Sequence, residues 1–306
     1  MKKISLYLLI AAVPLLFSCM KDASLQQEDS PAVANRSMQA SAASLKINVT
    51  GLGDLGPHFR YEGWIIVNGA AVSTGRFRVN KGGVIAPHQF NVPASQLDAA
   101  TAFVLTIEPH PDADPGPSGT KILAGDFSGD VAMLSVAHMA ALGNDFTSAT
   151  GKYLLATPTT ATMADEKSGV WFIDNASGSP VPGLSLPLLP AGWRYEGWTV
   201  ISGMPLTTGT FLLTNMADMA APFSGPLPGP PFPGEDYVAN APAGLTFPTD
   251  LSGSTIVITI EPYPDTSPDP FFLKPLAGMV PANAMQHVSY MMTNVASMLP
   301  QGEARR

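Results

Sequence analysis

The chain has one cysteine in 306 residues, at position 19, and no stock of thiols from which disulfide staples or thiolate metal sites are built. A chain of this length buries enough apolar surface to do without them. Charge is also scarce: Asp, Glu, Lys and Arg make up 13% of the residues, about half the usual share. The 24 acids against 16 bases leave a net charge of −8, and no basic stripe exists to neutralise phosphates, which excludes nucleic-acid binding. The five histidines show no metal-ligand spacing. H-E-x-x-H, G-x-S-x-G and P-loop patterns are missing, and beyond residue 19 no run of 18 apolar residues predicts a membrane-spanning helix.

What is plentiful is 30 prolines and 28 glycines beside 45% apolar residues, the mark of a turn-rich globular chain. Residues 1–18 open with Lys2-Lys3, continue in the apolar run from Ile4 to Phe17 and end at Ser18, the layout of a secretory signal peptide. Leu16-Phe17-Ser18-Cys19 resembles a bacterial lipobox, which implies lipidation of Cys19, now the mature N-terminus. With Cys19 lipidated, no cysteine nucleophile remains. Residues 19–44 carry no apolar period and read as a flexible tether of roughly 25–30 Å.

The rest is organised by a duplication. Arg60-Tyr61-Glu62-Gly63-Trp64 recurs as Arg194-Tyr195-Glu196-Gly197-Trp198, and Thr106-Ile107-Glu108-Pro109 as Thr259-Ile260-Glu261-Pro262, the second copy holding 19 extra residues between these blocks. Each copy reads as β. Asn68-Gly69, matched by Ser202-Gly203, is a two-residue hairpin signal, because both central residues take φ > 0. Phe103, Leu105 and Ile107 alternate with Val104, Thr106 and Glu108, as Ile256, Ile258 and Ile260 do with Val257, Thr259 and Glu261. The stretches 131–142 and 288–299 fit helix or strand. The fold class expected is mainly β: two tandem immunoglobulin-like antiparallel β-sandwich domains, at 45–145 and 146–299, with 300–306 as a tail.

At these blocks the chain resembles the C-terminal, extracytoplasmic domain of the anti-sigma-K factor family. The residues that carry the likeness are Tyr61 and Trp64 with Tyr195 and Trp198, the segment Val72–Phe77 with Leu206–Phe211, and the Thr-Ile-Glu-Pro strand, its Pro loop and a Leu-Ala-Gly ending in both copies. The resemblance implies a β-sandwich on the outer side of a membrane. Members of the family restrain a sigma factor through a separate cytoplasmic N-terminal domain, for which this sequence offers no counterpart.

Candidate site residues are weighed against simple structural roles. The pairs Glu108/Lys121 and Glu261/Lys274 are each 13 residues apart and bracket a loop, which predicts cross-strand ion pairs of about 0.2–1 kcal/mol. Glu62 reads as a buried acid paired to Arg60; Glu62 with Glu108 as catalytic carboxylates is the disfavoured alternative. Asp112-Ala113-Asp114 and Asp265-Thr266-Ser267 alternate oxygen side chains as calcium loops do. They lack the glycine and glutamate of an EF-hand, so a proline-stiffened turn is expected and no metal. Gly51-x-Gly53-x-x-Gly56 precedes Pro57 and a strand, so it opens no dinucleotide-binding helix. The proline-rich insertion 222–233 reads as an ordered loop over a sheet edge. Tyr61, Trp64, Tyr195 and Trp198 are expected in the core. The framework is thus duplicated without a catalytic set. That pattern predicts a non-enzymatic, cofactor-free lipoprotein of the bacterial cell envelope, lipid-anchored at a membrane surface (the outer membrane if the source is Gram-negative). It binds or senses an unknown protein or glycan. A regulatory role in an anti-sigma-factor circuit is the first alternative, an envelope hydrolase the second.

Overall fold

The computed structural model describes residues 41–265 and 267–306. The leader, Cys19 and all but the last four residues of the expected tether lie outside the described residues. The first copy supplies β1 (Ala42–Thr50), β2 (Phe59–Val67), β3 (Ala70–Val79), β4 (Ile85–Ala86), β5 (Gln89–Pro93), the single-turn helix α1 (Ala94–Asp98), β6 (Ala100–Pro109), β7 (Lys121–Ser128) and β8 (Val131–Ser135). The second supplies β9 (Thr150–Leu155), β10 (Gly169–Trp171), β11 (Ile173–Asp174), β12 (Val181–Pro182), β13 (Leu184–Ser185), β14 (Trp193–Ile201), β15 (Met204–Phe211), β16 (Gly234–Asp236), β17 (Thr255–Pro262), β18 (Leu276–Met279), β19 (Tyr290–Met291) and β20 (Thr293–Asn294). A last strand, β21 (Gln301–Arg305), ends the chain.

Both copies are built on the expected hairpin. Asn68 and Gly69 have φ of 52° and 80°, Ser202 and Gly203 of 52° and 84°, the left-handed pair that a tight hairpin requires. The pairing register of β2 with β3 shifts between Gly63 and Trp64, and that of β14 with β15 between Gly197 and Trp198. Glycine is needed there because a Cβ at Gly63 would stand 2.8 Å from the Phe103 ring, and one at Gly197 2.7 Å from the Phe172 ring.

Nine antiparallel strands form the first sheet, in the order β4-β3-β2-β6-β7-β8-β21-β1-β5. Its two edge strands, β4 and β5, are separated in the chain by Pro87 and His88 alone, a gap of three peptide links and at most about 11 Å. The sheet therefore folds over until its edges meet, and Leu45, Tyr61, Ile65, Phe77, Phe103 and Leu105 fill the interior. In the second copy, the sheet β15-β14-β17-β18-β20 lies against the sheet β13-β9-β10-β16. Phe172, Tyr153 and Leu155 from the one meet Tyr195, Ile258 and Ile260 from the other in the same buried cluster.

Two expectations are corrected here, and one open reading is resolved. Residues 300–306 are not a tail: β21 pairs with β1 on one side and β8 on the other, inside the first copy's sheet. The copies are consequently not two sandwiches in simple series, and one continuous apolar cluster runs from Leu45 to Ala304. The ambiguous stretches 131–142 and 288–299 form β8, β19 and β20 with turns and one 3-10 turn, not α-helices.

Candidate functional site

The central strands β2 and β6 bury both faces. Odd-numbered Tyr61, Ile65, Phe103, Leu105 and Ile107 face the apolar interior, so the alternating residues Glu62, Trp64, Val104, Thr106 and Glu108 line the other face. There they form a hydrogen-bonded row. Trp64 donates its indole N–H to Thr106 Oγ1 at 2.8 Å, and the Thr106 hydroxyl reaches the Glu62 carbonyl at 3.3 Å. Glu62 Oε1 accepts from Ser73 at 2.5 Å and Oε2 from Arg76 Nε at 2.6 Å. Arg76 Nη2 continues to Asp112 Oδ2 at 2.7 Å. Glu108 Oε1 takes the Ser118 N–H at 2.9 Å, which closes the Pro loop onto the strand. The hydrogen bond to Glu62 and the charges of Glu62, Asp112 and Glu108 hold the Arg76 guanidinium even more firmly protonated than usual.

The second copy repeats the row with one change. Trp198 donates to Thr259 Oγ1 at 2.9 Å, Thr207 to Glu196 Oε1 at 2.5 Å, and the Phe271 N–H to Glu261 Oε1 at 2.9 Å; Thr259 also donates to Glu261 Oε1. The position of Arg76 is held by Thr210. Thr210 brings no guanidinium to that place, and one carboxylate oxygen from each of Glu196, Glu261 and Asp265 comes within 4.8 Å of the others. Glu196 is 6% exposed and Glu261 1%. Burial, helped by the Asp265 charge, pushes both carboxyls up to about 7 against the lowering effect of their hydroxyl and amide donors. Glu196 Oε2 and Glu261 Oε2 are buried without a hydrogen-bond partner.

A second group of buried acids adjoins this one. Asp218, in the segment after β15, accepts the Gly234 N–H at 2.9 Å. Burial pushes its carboxyl up to about 8, with Glu235 and Glu196 adding to the rise. On β16, Glu235 takes the Phe223 N–H and the Ser224 hydroxyl, while Asp236 takes the Thr159 N–H at 2.8 Å and the Trp171 indole at 2.6 Å. These bonds pin the proline-rich insertion: Phe223 packs on Tyr237 and Phe247, and Phe232 on the cluster around Trp171. The insertion is an ordered cover, as its composition implied.

The framework aromatics Tyr61, Trp64, Tyr195 and Trp198 are all buried. Tyr61 and Tyr195 each reach back eight residues to a carbonyl, Gly53 at 2.8 Å and Pro187 at 2.7 Å, so the glycine-rich 51–56 segment serves as a tyrosine anchor. The expected ion pairs are corrected. Lys121 and Lys274 do not pair with Glu108 and Glu261, whose inward carboxylates take loop N–H groups instead. Arg60 does not pair with Glu62; its guanidinium donates to the Gly56 and Pro57 carbonyls. The true partner of Glu62 is Arg76, whose place directly opposite Glu62 follows from the hairpin register. Asp112 and Asp114 accept N–H groups two residues on, at Asp114 and Gly116, which makes their loop a chain of Asx turns.

No protein-family model matches the chain, and no curated protein or solved structure matches it either.

Proposed function

We propose that the chain is a non-enzymatic binding protein of the bacterial cell envelope, held at a membrane surface through a lipid on Cys19, with a protein or peptide as its ligand. The observation that carries this reading is the use of the duplicated polar residues. In the first copy Glu62, Arg76, Thr106 and Glu108 are engaged with neighbouring strands and loops, and the two glutamates are buried beneath them. Glycoside hydrolysis by paired carboxylates needs an open cleft with room for a sugar between them. A duplicated framework sealed in this way supports a scaffold that presents its surface and loops.

The surface favours a protein over a glycan. Among the described residues the large exposed apolar side chains include nine methionines, Met133, Met139, Met279 and Met291 among them, and one aromatic, Tyr263. Methionine side chains adapt to varied protein surfaces. The Tyr263 ring already carries the Arg194 guanidinium 3.8 Å above one face, which leaves a sugar at most the other face of a lone ring.

Full-length protein in detergent micelles, applied to peptide and glycan arrays, tests the reading. Saturable peptide binding is expected, weakened by Met279→Gln and Met291→Gln. Blank peptide arrays together with turnover of chromogenic glycosides or esters would overturn it. The anchor is tested separately: Cys19→Ala is expected to abolish incorporation of labelled palmitate in cells, and labelling that persists rules the lipid on Cys19 out.

A further inference from the structure

Aligning the two copies on their strands places Glu62 on Glu196, Glu108 on Glu261, Asp112 on Asp265 and Arg76 on Thr210. Three acids are kept and the one cation is lost. In the first copy the guanidinium of Arg76 lies between Glu62 and Asp112, at 2.6 and 2.7 Å. We propose that the second copy holds a calcium ion between Glu196, Glu261 and Asp265, in the place where the first copy holds the Arg76 guanidinium.

The acids are arranged as ligands. Each glutamate is fixed through Oε1, Glu196 by Thr207 and Glu261 by Thr259 and the Phe271 N–H, while its Oε2 is buried with no hydrogen-bond donor. Buried carboxylate oxygens are normally satisfied, and two such orphans in one cluster call for a counter-charge or a proton. Asp265 closes the group from the Pro loop, with Oδ1 already oriented by the Ser267 N–H at 2.8 Å. Arg194, opposite Glu261 in the β14–β17 ladder, is turned away onto the Tyr263 ring and Met219.

The chemistry selects the ion. Oxygen-only ligands suit hard divalent cations. Two oxygens on one Ca²⁺ at 2.3–2.6 Å stand at most about 4.6–5.2 Å apart, whereas on Mg²⁺ at 2.0–2.1 Å they stand at most about 4.0–4.2 Å apart. The three oxygens of the cluster lie within 4.8 Å of one another, inside the longest separation that calcium allows, and magnesium, which dehydrates reluctantly, is seldom held by an all-protein cage.

The test titrates EDTA-stripped, full-length protein in detergent with CaCl₂ and MgCl₂ by calorimetry at pH 7.5, and follows melting by circular dichroism. One calcium per chain is expected, with a Kd of about 0.1–1 mM and weaker binding of magnesium. Saturating calcium is expected to raise Tm. Thr210→Arg supplies the first copy's cation: it is expected to abolish calcium binding and to raise the Tm of the calcium-free protein. Asp265→Asn, at the partly exposed end of the cluster, is expected to weaken binding at least tenfold with the fold intact, and decides the matter if the arginine variant does not fold. No calcium binding by the wild type, or binding that Thr210→Arg and Asp265→Asn leave unchanged, overturns the proposal; equal affinity for magnesium overturns the choice of ion. None of these readouts involves the protein ligand proposed above.

Discussion

Ile47 and Ala304, 257 positions apart in the chain, are register partners across the β1–β21 ladder, and both are buried in the first copy's core. Just beyond them the Arg306 guanidinium donates to the carbonyls of Leu97, Ala100 and Gly129 at 2.8–3.0 Å and lies 4.6 Å from the Phe127 ring. Removing residues 301–306 would leave β1 and β8 with facing, unpaired edges in the middle of a sheet. The truncated chain is therefore expected to lose cooperative melting in the first copy and to aggregate through those edges. A truncated protein that stays monomeric by light scattering, with an unchanged Tm, would show that β21 contributes little.

That strand was hidden in the sequence for a physical reason. Gln301-Gly302-Glu303-Ala304-Arg305 has no apolar alternation, because only the Ala304 side of the ribbon is buried, and alanine carries almost no signal. The hairpins at Asn68-Gly69 and Ser202-Gly203 and the two-faced strands around Phe103 and Ile258 were legible, since they rest on turn chemistry and a period of two. The acid cluster was only half legible. Asp265 stands out in the sequence as a loop residue, but Glu196 and Glu261 are 65 residues apart, and only strand pairing brings them together. The signal that exposes the cluster is the replacement of Arg76 by Thr210 when the duplicated strands are laid over each other.

The indole anchors are expected to be equivalent in the two copies. Thr106→Val and Thr259→Val keep the side-chain shape but leave the Trp64 or Trp198 N–H buried without an acceptor. Each is expected to lower stability by about 1–3 kcal/mol. At roughly 2–4 °C per kcal/mol for a domain of 150–250 residues, calorimetry should read the drop directly. An effect below about 0.5 kcal/mol in both variants would mean that water reaches these indoles.

Arg76 and Thr210 occupy matching places but carry different loads. Arg76→Met removes the partner of two acids whose side chains are each 5% exposed, and the guanidinium itself is 36% exposed. Breaking a fully buried pair costs about 3–5 kcal/mol; with this exposure a loss of about 2–3 kcal/mol is expected. Thr210→Met orphans no charge and is expected to shift stability by about 0.5 kcal/mol or less. Chemical denaturation of the two variants side by side makes the comparison, and equal losses would deny Arg76 its role.

Without calcium, stability should fall as pH rises toward neutrality. Burial lifts Glu196, Glu235 and Glu261 from 4.5 to about 7, and Asp218 from 3.8 to about 8. Between about pH 4 and pH 8 the folded chain therefore holds protons that the unfolded chain has released, and stability declines across that window. Asp174 and Asp250 act in the opposite sense: Lys152 and Lys167 lower their carboxyls, so their contribution is present above about pH 4 and is lost on further acidification. The two trends place the optimum near pH 4–5 in EDTA, well below the neutral range in which most domains are steadiest. Scanning calorimetry should find a Tm several degrees lower at pH 8 than at pH 5, and Glu261→Gln, which has no charge to desolvate, should flatten that slope. A wild-type Tm that is level or rising from pH 5 to pH 8 would mean that the four carboxyls are ionised without penalty, and that a counter-charge already accompanies them.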